Sequence, residues 1–400
     1  MSQSLNPHTL VAVGMALLGC LGAPGSACAA PGVQVDSDDA LAKALRAAGP
    51  GTVLRLSPGT YRGGHRLEAL AGTPANPMVI EAADPQDPPT FSGERGGASA
   101  LHLSGSSHVH LRNLRVTGFS ANGINADDAG NPAAPATGLR FEGLVIENTG
   151  PTGNHDALKL SGLADFLVRD CTFAGWGGSA IDMVGCHRGL IVACTFEGRE
   201  GFSQDNGVQA KGGSSAIAVR DSFFNDAGQR AINLGGSTGL PYFRPVDAAW
   251  EARDIEVAGN RFAGSLSPVA WVGVDGGHVH HNTIFLPAKW VGRILQENTG
   301  PRFGRCRNGV FEHNLIVFDR RVQTIINVGG GTAPETFVIR NNAWFCTDQP
   351  DRGPGALPVP DSGGVTGVDP ELTDTGTGTM TITSKNPRLE GIGAGAAGDP

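Results

Sequence analysis

From Leu158 onward, short stretches alternate apolar and polar side chains. Leu158/Leu160, Ile181/Met183, Val208/Ala210 and Ile232/Leu234 each enclose one polar residue. A period of two predicts strands with one buried and one open face. A second series places a small or polar residue two positions before an apolar one. It runs Cys171-Thr-Phe173, Cys194-Thr-Phe196, Ser222-Phe-Phe224, Asn260-Arg-Phe262, Asn282-Thr-Ile284, Asn314-Leu-Ile316 and Asn342-Ala-Trp344, at steps of 23, 28, 38, 22, 32 and 28 residues. A repeat of this length marks a solenoid, and about 22 residues suffice for one coil of a parallel β-helix. Longer coils extrude their excess as loops. Inward side chains stack like on like, so the Asn and Cys/Ser series predicts an internal ladder. Leucine-rich repeats are excluded because their fixed leucine register is missing, and a propeller needs longer four-stranded units.

Composition agrees. Sixty of the 400 residues are Gly and 26 are Pro. Gly costs about 1 kcal/mol per interior helical position relative to Ala, which disfavours a helical bundle. Gly-X-Y periodicity is absent, which excludes collagen, and a 40% hydrophobic fraction is enough for a core. The glycines gather where coils turn, as at Gly212-Gly213, Gly235-Gly236 and Gly276-Gly277. The expected fold is a single-domain, all-β parallel β-helix. The net charge of −8 argues against a nucleic-acid partner. Lysine is scarce, occurring only at 43, 159, 211, 289 and 385, so a lysine on a shared face is informative.

Leu10 to Leu21 is an apolar run of signal-peptide length, followed by small residues at Ala27-Cys28-Ala29. Residues 1–30 are expected to be a leader that directs the chain to a secreted or periplasmic location. Leu17-Leu18-Gly19-Cys20 also has the form of a lipobox, so a lipid anchor at Cys20 is an open alternative. No later stretch is long and apolar enough for a membrane helix. The β-helix then occupies 31–400, with an irregular last coil from about 362, and is expected to act as a monomer. Five cysteines remain after cleavage. Cys306 and Cys346 are candidates for a disulfide, with buried free thiols as the equal alternative.

Residues between the inward pairs point outward and stack. Lys159, Asp182, Gln209 and Asn233 make one column, and Ser161, Lys211 and Gly235 the next. His155-Asp156, Asp205-Asn206 and Gln229-Arg230 stand at the strand entries. With coils about 4.8 Å apart these groups are neighbours. The strip reads either as a catalytic face or as a salt-linked structural ladder. Asp182 and Asp205 could hold a Ca²⁺ ion, or simply pair with Lys159 and Lys211. His278, His280 and His281 lack a third metal ligand and are expected as exposed surface. Asp127-Asp128, in a Pro/Ala/Gly loop, is expected to be solvated. Tyr242, Phe243, Arg244 and Trp250 lie on one loop, where aromatic rings either stack on sugars or close a groove edge.

The entry segment carries a resemblance. An Ala-rich helix start at Asp39 to Ala48 precedes Gly51-Thr-Val-Leu-Arg-Leu56, Leu56-Ser-Pro-Gly-Thr-Tyr61 and Gly72-Thr-Pro-Ala-Asn-Pro77. This resembles secreted right-handed parallel β-helix proteins of the pectate-lyase-like superfamily, and implies a helix capping the N-terminal end of the stack. Locally, Val208-Gln-Ala-Lys211-Gly-Gly and Gly228-Gln-Arg230-Ala-Ile-Asn-Leu-Gly-Gly resemble the chondroitinase B and alginate lyase family. The resemblance implies Lys211 as the base of a β-elimination on an acidic, uronate-containing polysaccharide. The family's arginine falls on Gly235, leaving Arg230 near but offset, and its calcium-binding acids fall on Gln204 and Asn206. A lyase must neutralise the substrate carboxylate before the α-proton becomes acidic, and then reach it with a base. A lysine beside Arg230 would favour its neutral form. His155 is the expected acid, and Lys159, Gln209, Asn233, Asn206 and Asp156 the expected substrate contacts. A β-helix glycoside hydrolase, a C5-epimerase and a non-catalytic cell-surface glycan binder are the alternatives.

Overall fold

The computed structural model describes residues 32–396; the expected leader with Cys20 and Cys28 lies outside the described residues. Three parallel sheets of 15, 10 and 12 strands run along the molecule. Successive coils give one strand to each. Leu163–Arg169, Thr172–Ala174 and Ser179–Val184 make one such coil. The next starts at His187–Val192, which lies in register on Leu163–Arg169 with Leu167 facing Leu190. The parallel β-helix read from the repeat is the fold observed.

The predicted internal ladder is present, and an aromatic stack runs beside it. Phe173, Phe196, Phe224 and Phe262 stack nearly face to face, with ring centroids 5.1, 4.4 and 4.9 Å apart. One step back, Asn260, Asn282, Asn314 and Asn342 are fully buried. The Asn282 amide donates to the carbonyls of Val257 (2.9 Å) and His280 (2.8 Å) and to Asn314 Oδ1 (2.9 Å). Its oxygen accepts from the backbone N–H of Asn260 at 2.9 Å. Asn282→Ala therefore leaves several buried groups unpaired, each costing about 1–3 kcal/mol. A loss of about 3 kcal/mol or more is expected in urea unfolding, whereas a change below about 1 kcal/mol would mean the ladder adds little. The five described cysteines are buried free thiols, so Cys306 and Cys346 do not pair.

Helix Asp38–Ala47 is started by Ser37, whose side chain accepts from the N–H of Ala40. Its Leu41 and Leu45 join the core at the first coil, an apolar stripe that would otherwise face water. At the other end, Leu372–Thr373 and Thr381–Ile382 form an antiparallel pair. Leu389 and Ile392 then pack on Leu315, Val317, Ala343 and Phe345, covering the outer face of the 12-stranded sheet. The 15-stranded sheet carries an ion-pair ladder in which Glu81 meets Arg55 at 3.1 Å and Glu142 meets Arg112 at 3.1 Å. The histidines expected as bare surface belong to this network: His278 meets Glu312 at 2.7 Å and His280 meets Glu256 at 3.1 Å. Their register places a glutamate on an adjacent coil within reach. Among the described residues, no helix is long and apolar enough to cross a membrane.

Candidate active site

The outward columns lie on the 10-stranded sheet. Lys159 faces Asp182, Asp182 faces Gln209 and Gln209 faces Asn233, one coil apart each. The column runs back through Asn125 and His102 to Arg66, and forward through Ala270 and Arg293 to Asn327. In the neighbouring column Ser161 faces Val184, which faces Lys211, so an apolar residue stands between the two polar ones.

Asp182 is the centre of the cluster. It is 0% exposed, and Asp156 beside it is 1% exposed. Lys159 Nζ touches Asp182 Oδ2 and lies 3.2 Å from Asp156 Oδ2. Lys211 Nζ lies 3.3 Å from Asp182 Oδ1 and donates to Gln209 Oε1 at 2.9 Å. One buried carboxylate thus holds two ammonium groups at the groove surface, where the lysine side chains keep 21% and 15% exposure. Burial works against the charge of Lys159, but Asp182 first and Asp156 second outweigh it and raise its pKa. Lys159 is a fixed cation. Asp156 is pushed up to about 6, by burial and then by the Asp182 charge, against the pull of Lys159. Its Oδ1 accepts from the N–H of Ser179 at 2.7 Å. The close approach needs Gly178, where a Cβ would lie 2.7 Å from that oxygen.

The Asp156 shift has a consequence for stability. An unfolded Asp titrates near about 3.9. A raised folded pKa makes the contribution of Asp156 complete below about pH 4 and lost as pH rises through about 6. The urea midpoint of the native protein should fall over that window relative to Asp156→Asn. Parallel pH profiles for the two proteins would contradict the assignment.

The other expected residues are dispersed. Arg230 does not neighbour Lys211, because it opens its strand while Lys211 ends the preceding one, and Arg230 pairs in register with Asn206 and Ser267. Arg230 therefore does not tune Lys211, contrary to what the sequence suggested; the ammonium's neighbours are Asp182 and Gln209. Asn206 bonds Ser179 Oγ at 3.3 Å, also at the entry. His155 stands four residues before Lys159, with Nδ1 buried and without a hydrogen-bond partner. Asp205 is exposed at a strand entry. It stands opposite Gly178 rather than Asp182, which is four residues further along that strand. Asp182 and Asp205 are therefore not brought together. Both oxygens of Asp182 already serve lysine ammoniums, which would repel a divalent cation, so this donor set does not fit calcium. Gly235, where the resembling motif has arginine, has φ +92°, and a Cβ there would meet Val272 O at 1.9 Å. No side chain fits at that position.

Part of the groove is built from residues that the sequence pattern did not point to. Asp127 is half-buried and Asp128 is buried. Asp127 accepts from His102 Nε2 at 2.5 Å and from Ser104 Oγ at 2.8 Å. Asp128 is buried and is held by Arg244, with Nη2 at 2.9 Å from Oδ1. Ser104, Asp127, Asp128 and Arg244, with Ser161, Val184 and Tyr242, line a cleft of about 580 Å³, and Val184 faces Lys211 on the next coil. Extending the Lys159 register back by two coils would have found His102. Arg244 comes from a loop far along the chain, which no short-range pattern reports. That loop divides its aromatics: Phe243 is buried against Phe303, while Tyr242 is 63% exposed at the cleft. Buried Glu251 fastens it, accepting from the N–H groups of Gly212 (2.8 Å) and Thr238 (2.9 Å), and so fixes the turn after Lys211.

Residues 99–242 match the family model described as a right-handed beta helix region. Among solved structures, a pectate lyase is 12% identical with TM-score 0.50 over 79% of this chain and 75% of its own. An alginate lyase from Paenibacillus sp. str. FPU-7 is 16% identical with TM-score 0.47, covering 76% of this chain and 97% of that one. A rhamnogalacturonan lyase is 13% identical with TM-score 0.45 over 91% and 100%. No curated protein matches the sequence. The chain has a right-handed parallel β-helix, as the resemblance implied.

Proposed function

We propose that this protein is an exported carbohydrate-active enzyme that cleaves an acidic, uronate-containing polysaccharide by β-elimination, with Lys211 as the base. The observation that carries the reading is the lysine pair on Asp182. Lys159 is held as a cation by two buried carboxylates, whereas Lys211 has one carboxylate contact and one amide contact. A substrate carboxylate beside Lys159 is neutralised, which acidifies its α-proton. Lys211 first releases to solvent the proton it holds against Asp182 and Gln209; the freed amine takes the α-proton, the bond from the β-carbon to the glycosidic oxygen breaks and a carbon–carbon double bond forms. The departing oxygen receives a proton from the ammonium that Lys211 has become, on the same open face. Gln209 and Asn233 line the path of the polymer. A C5-epimerase would share the abstraction and return the proton to the opposite face.

Burial weighs against the hydrolytic alternative. Asp156 and Asp182 are covered and tied to lysines, so they do not flank a sugar bond as two accessible carboxylates. The test is incubation of the mature protein with a panel of uronic-acid polymers, with and without chelator. Unsaturated products absorbing in the near ultraviolet are expected. Reducing ends without unsaturation would mean hydrolysis, and retention of glycan without turnover would mean a binding protein.

A further inference from the structure

Beyond the lysine pair, towards the C-terminal coils, the same groove holds a second cationic group that the elimination chemistry does not use. Arg230 donates from Nη1 to Asn233 Oδ1 at 3.4 Å. Arg293 stands two coils beyond Asn233 in its column, with Ala270 between them, and its Nε donates to Asn327 Oδ1 at 3.3 Å. The guanidinium of Arg293 lies 4.4 Å from the centre of the Trp290 ring, which also carries Lys289 Nζ at 4.3 Å. Partial burial first, and the charge of Arg230 second, lower the pKa of Arg293, so the two cations feel one another. Among the described residues Arg293 makes no ion pair. Asn233 is 1% exposed, yet its Nδ2 has no hydrogen-bond partner. Two guanidiniums and a buried, unused amide donor make a place for a carboxylate.

A carboxylate is there already. Glu297 reaches Arg230 Nη2 at 2.9 Å and acts electrostatically on Arg293. It is not needed to hold its own loop. Gln296 on one side accepts from the N–H of Cys306 at 2.7 Å, and Asn298 on the other donates to Thr238 O at 3.2 Å. Asp205 lies near the entry of Arg230 but bonds Gln229.

We propose that Arg230, Arg293 and Asn233 form a carboxylate-binding subsite for a second acidic sugar of the polymer, which Glu297 occupies in the free protein and which the substrate carboxylate takes over. The proposal rests on the uronate reading above and extends it: the substrate must carry acidic groups on more than the unit being cleaved. Glu297 then competes with substrate and sets a lower limit on the acidity of polymers that bind.

The test is calorimetric titration, at fixed ionic strength, of the mature protein, Glu297→Gln and Arg293→Met. The probes are galacturonate, mannuronate and guluronate tetrasaccharides, with cellotetraose as the neutral control. Glu297→Gln should bind its preferred uronate about fivefold more tightly, the value of a partly exposed ion pair. Arg293→Met should bind it at least about tenfold more weakly, and neither change should alter cellotetraose binding. Equal or weaker uronate binding by Glu297→Gln, or a parallel gain for cellotetraose, overturns the subsite. If the uronate binds in this pattern but no unsaturated product forms, the lyase reading fails and the subsite stands. If product forms while both variants keep the native KM, the subsite fails and the lyase reading stands. If no uronate binds the native protein or Glu297→Gln, both fall.

Discussion

Lys211→Ala should lower the rate of unsaturated product formation by about 10²–10⁴-fold, the usual contribution of a positioned general base. The substitution removes a side chain at the groove surface and leaves Asp182 paired with Lys159, so the fold should persist. Circular dichroism and the urea midpoint verify this in the same preparation. Lys211→Arg separates two roles. An arginine keeps the positive charge but stays protonated, so it cannot accept the α-proton. A base role therefore predicts a loss as large as that of Lys211→Ala, whereas a role in holding charge predicts substantial retention. Native rates in Lys211→Ala would rule out Lys211 as the base and return the strip to a structural ladder.

Asp182→Ala should be the most destabilising change in the site. The carboxylate is fully buried and serves both lysines. Removing it leaves Lys159 with Asp156 alone and Lys211 with only the Gln209 amide. Breaking one side of a buried ion pair costs about 3–5 kcal/mol, because the remaining charge stays desolvated. Urea unfolding followed by far-ultraviolet circular dichroism measures this directly. Asp182→Asn preserves the shape and should cost less than Asp182→Ala. A loss below about 1 kcal/mol for Asp182→Ala would mean that both ammoniums swing into water and that the cluster is not held in place from below. Activity should fall with stability, since the same carboxylate positions the base.

The fold and half of the site were legible for one reason: in a parallel stack, register is a sequence property. Asn260, Asn282, Asn314 and Asn342 recur because each must bond its copy in the next coil. The same register lines up Lys159, Asp182, Gln209 and Asn233, since strands with period-two patterns can pair only in steps that keep the apolar face inward. His102 and Asp127 obey that rule as well. Asp127 ends the strand Ile124–Asp127 just before a Pro-, Ala- and Gly-rich loop that masks its edge, whereas His102 lies between Leu101 and Leu103 in plain alternation.

What register does not report is how far a side chain reaches across coils and which loop covers it. Arg230 looked close to Lys211 in sequence order, yet it opens a strand that Lys211's neighbour column closes, and strand rise separates them. Asp182 and Asp205 were an obvious acidic pair by spacing, but one lies under the lysines and the other at a strand entry. Burial gives them different chemistry. Arg244 meets Asp128, and Glu297 meets Arg230, only because extruded loops fold back over the groove. The sequence by itself therefore determined the coil, its internal ladders and the polar columns, all of which repeat at a fixed interval along the chain. Tertiary structure alone decided which carboxylates are buried, which lysine is pinned as a cation and which loop groups enter the groove, because those depend on solvent exclusion and on contacts between segments that no interval connects.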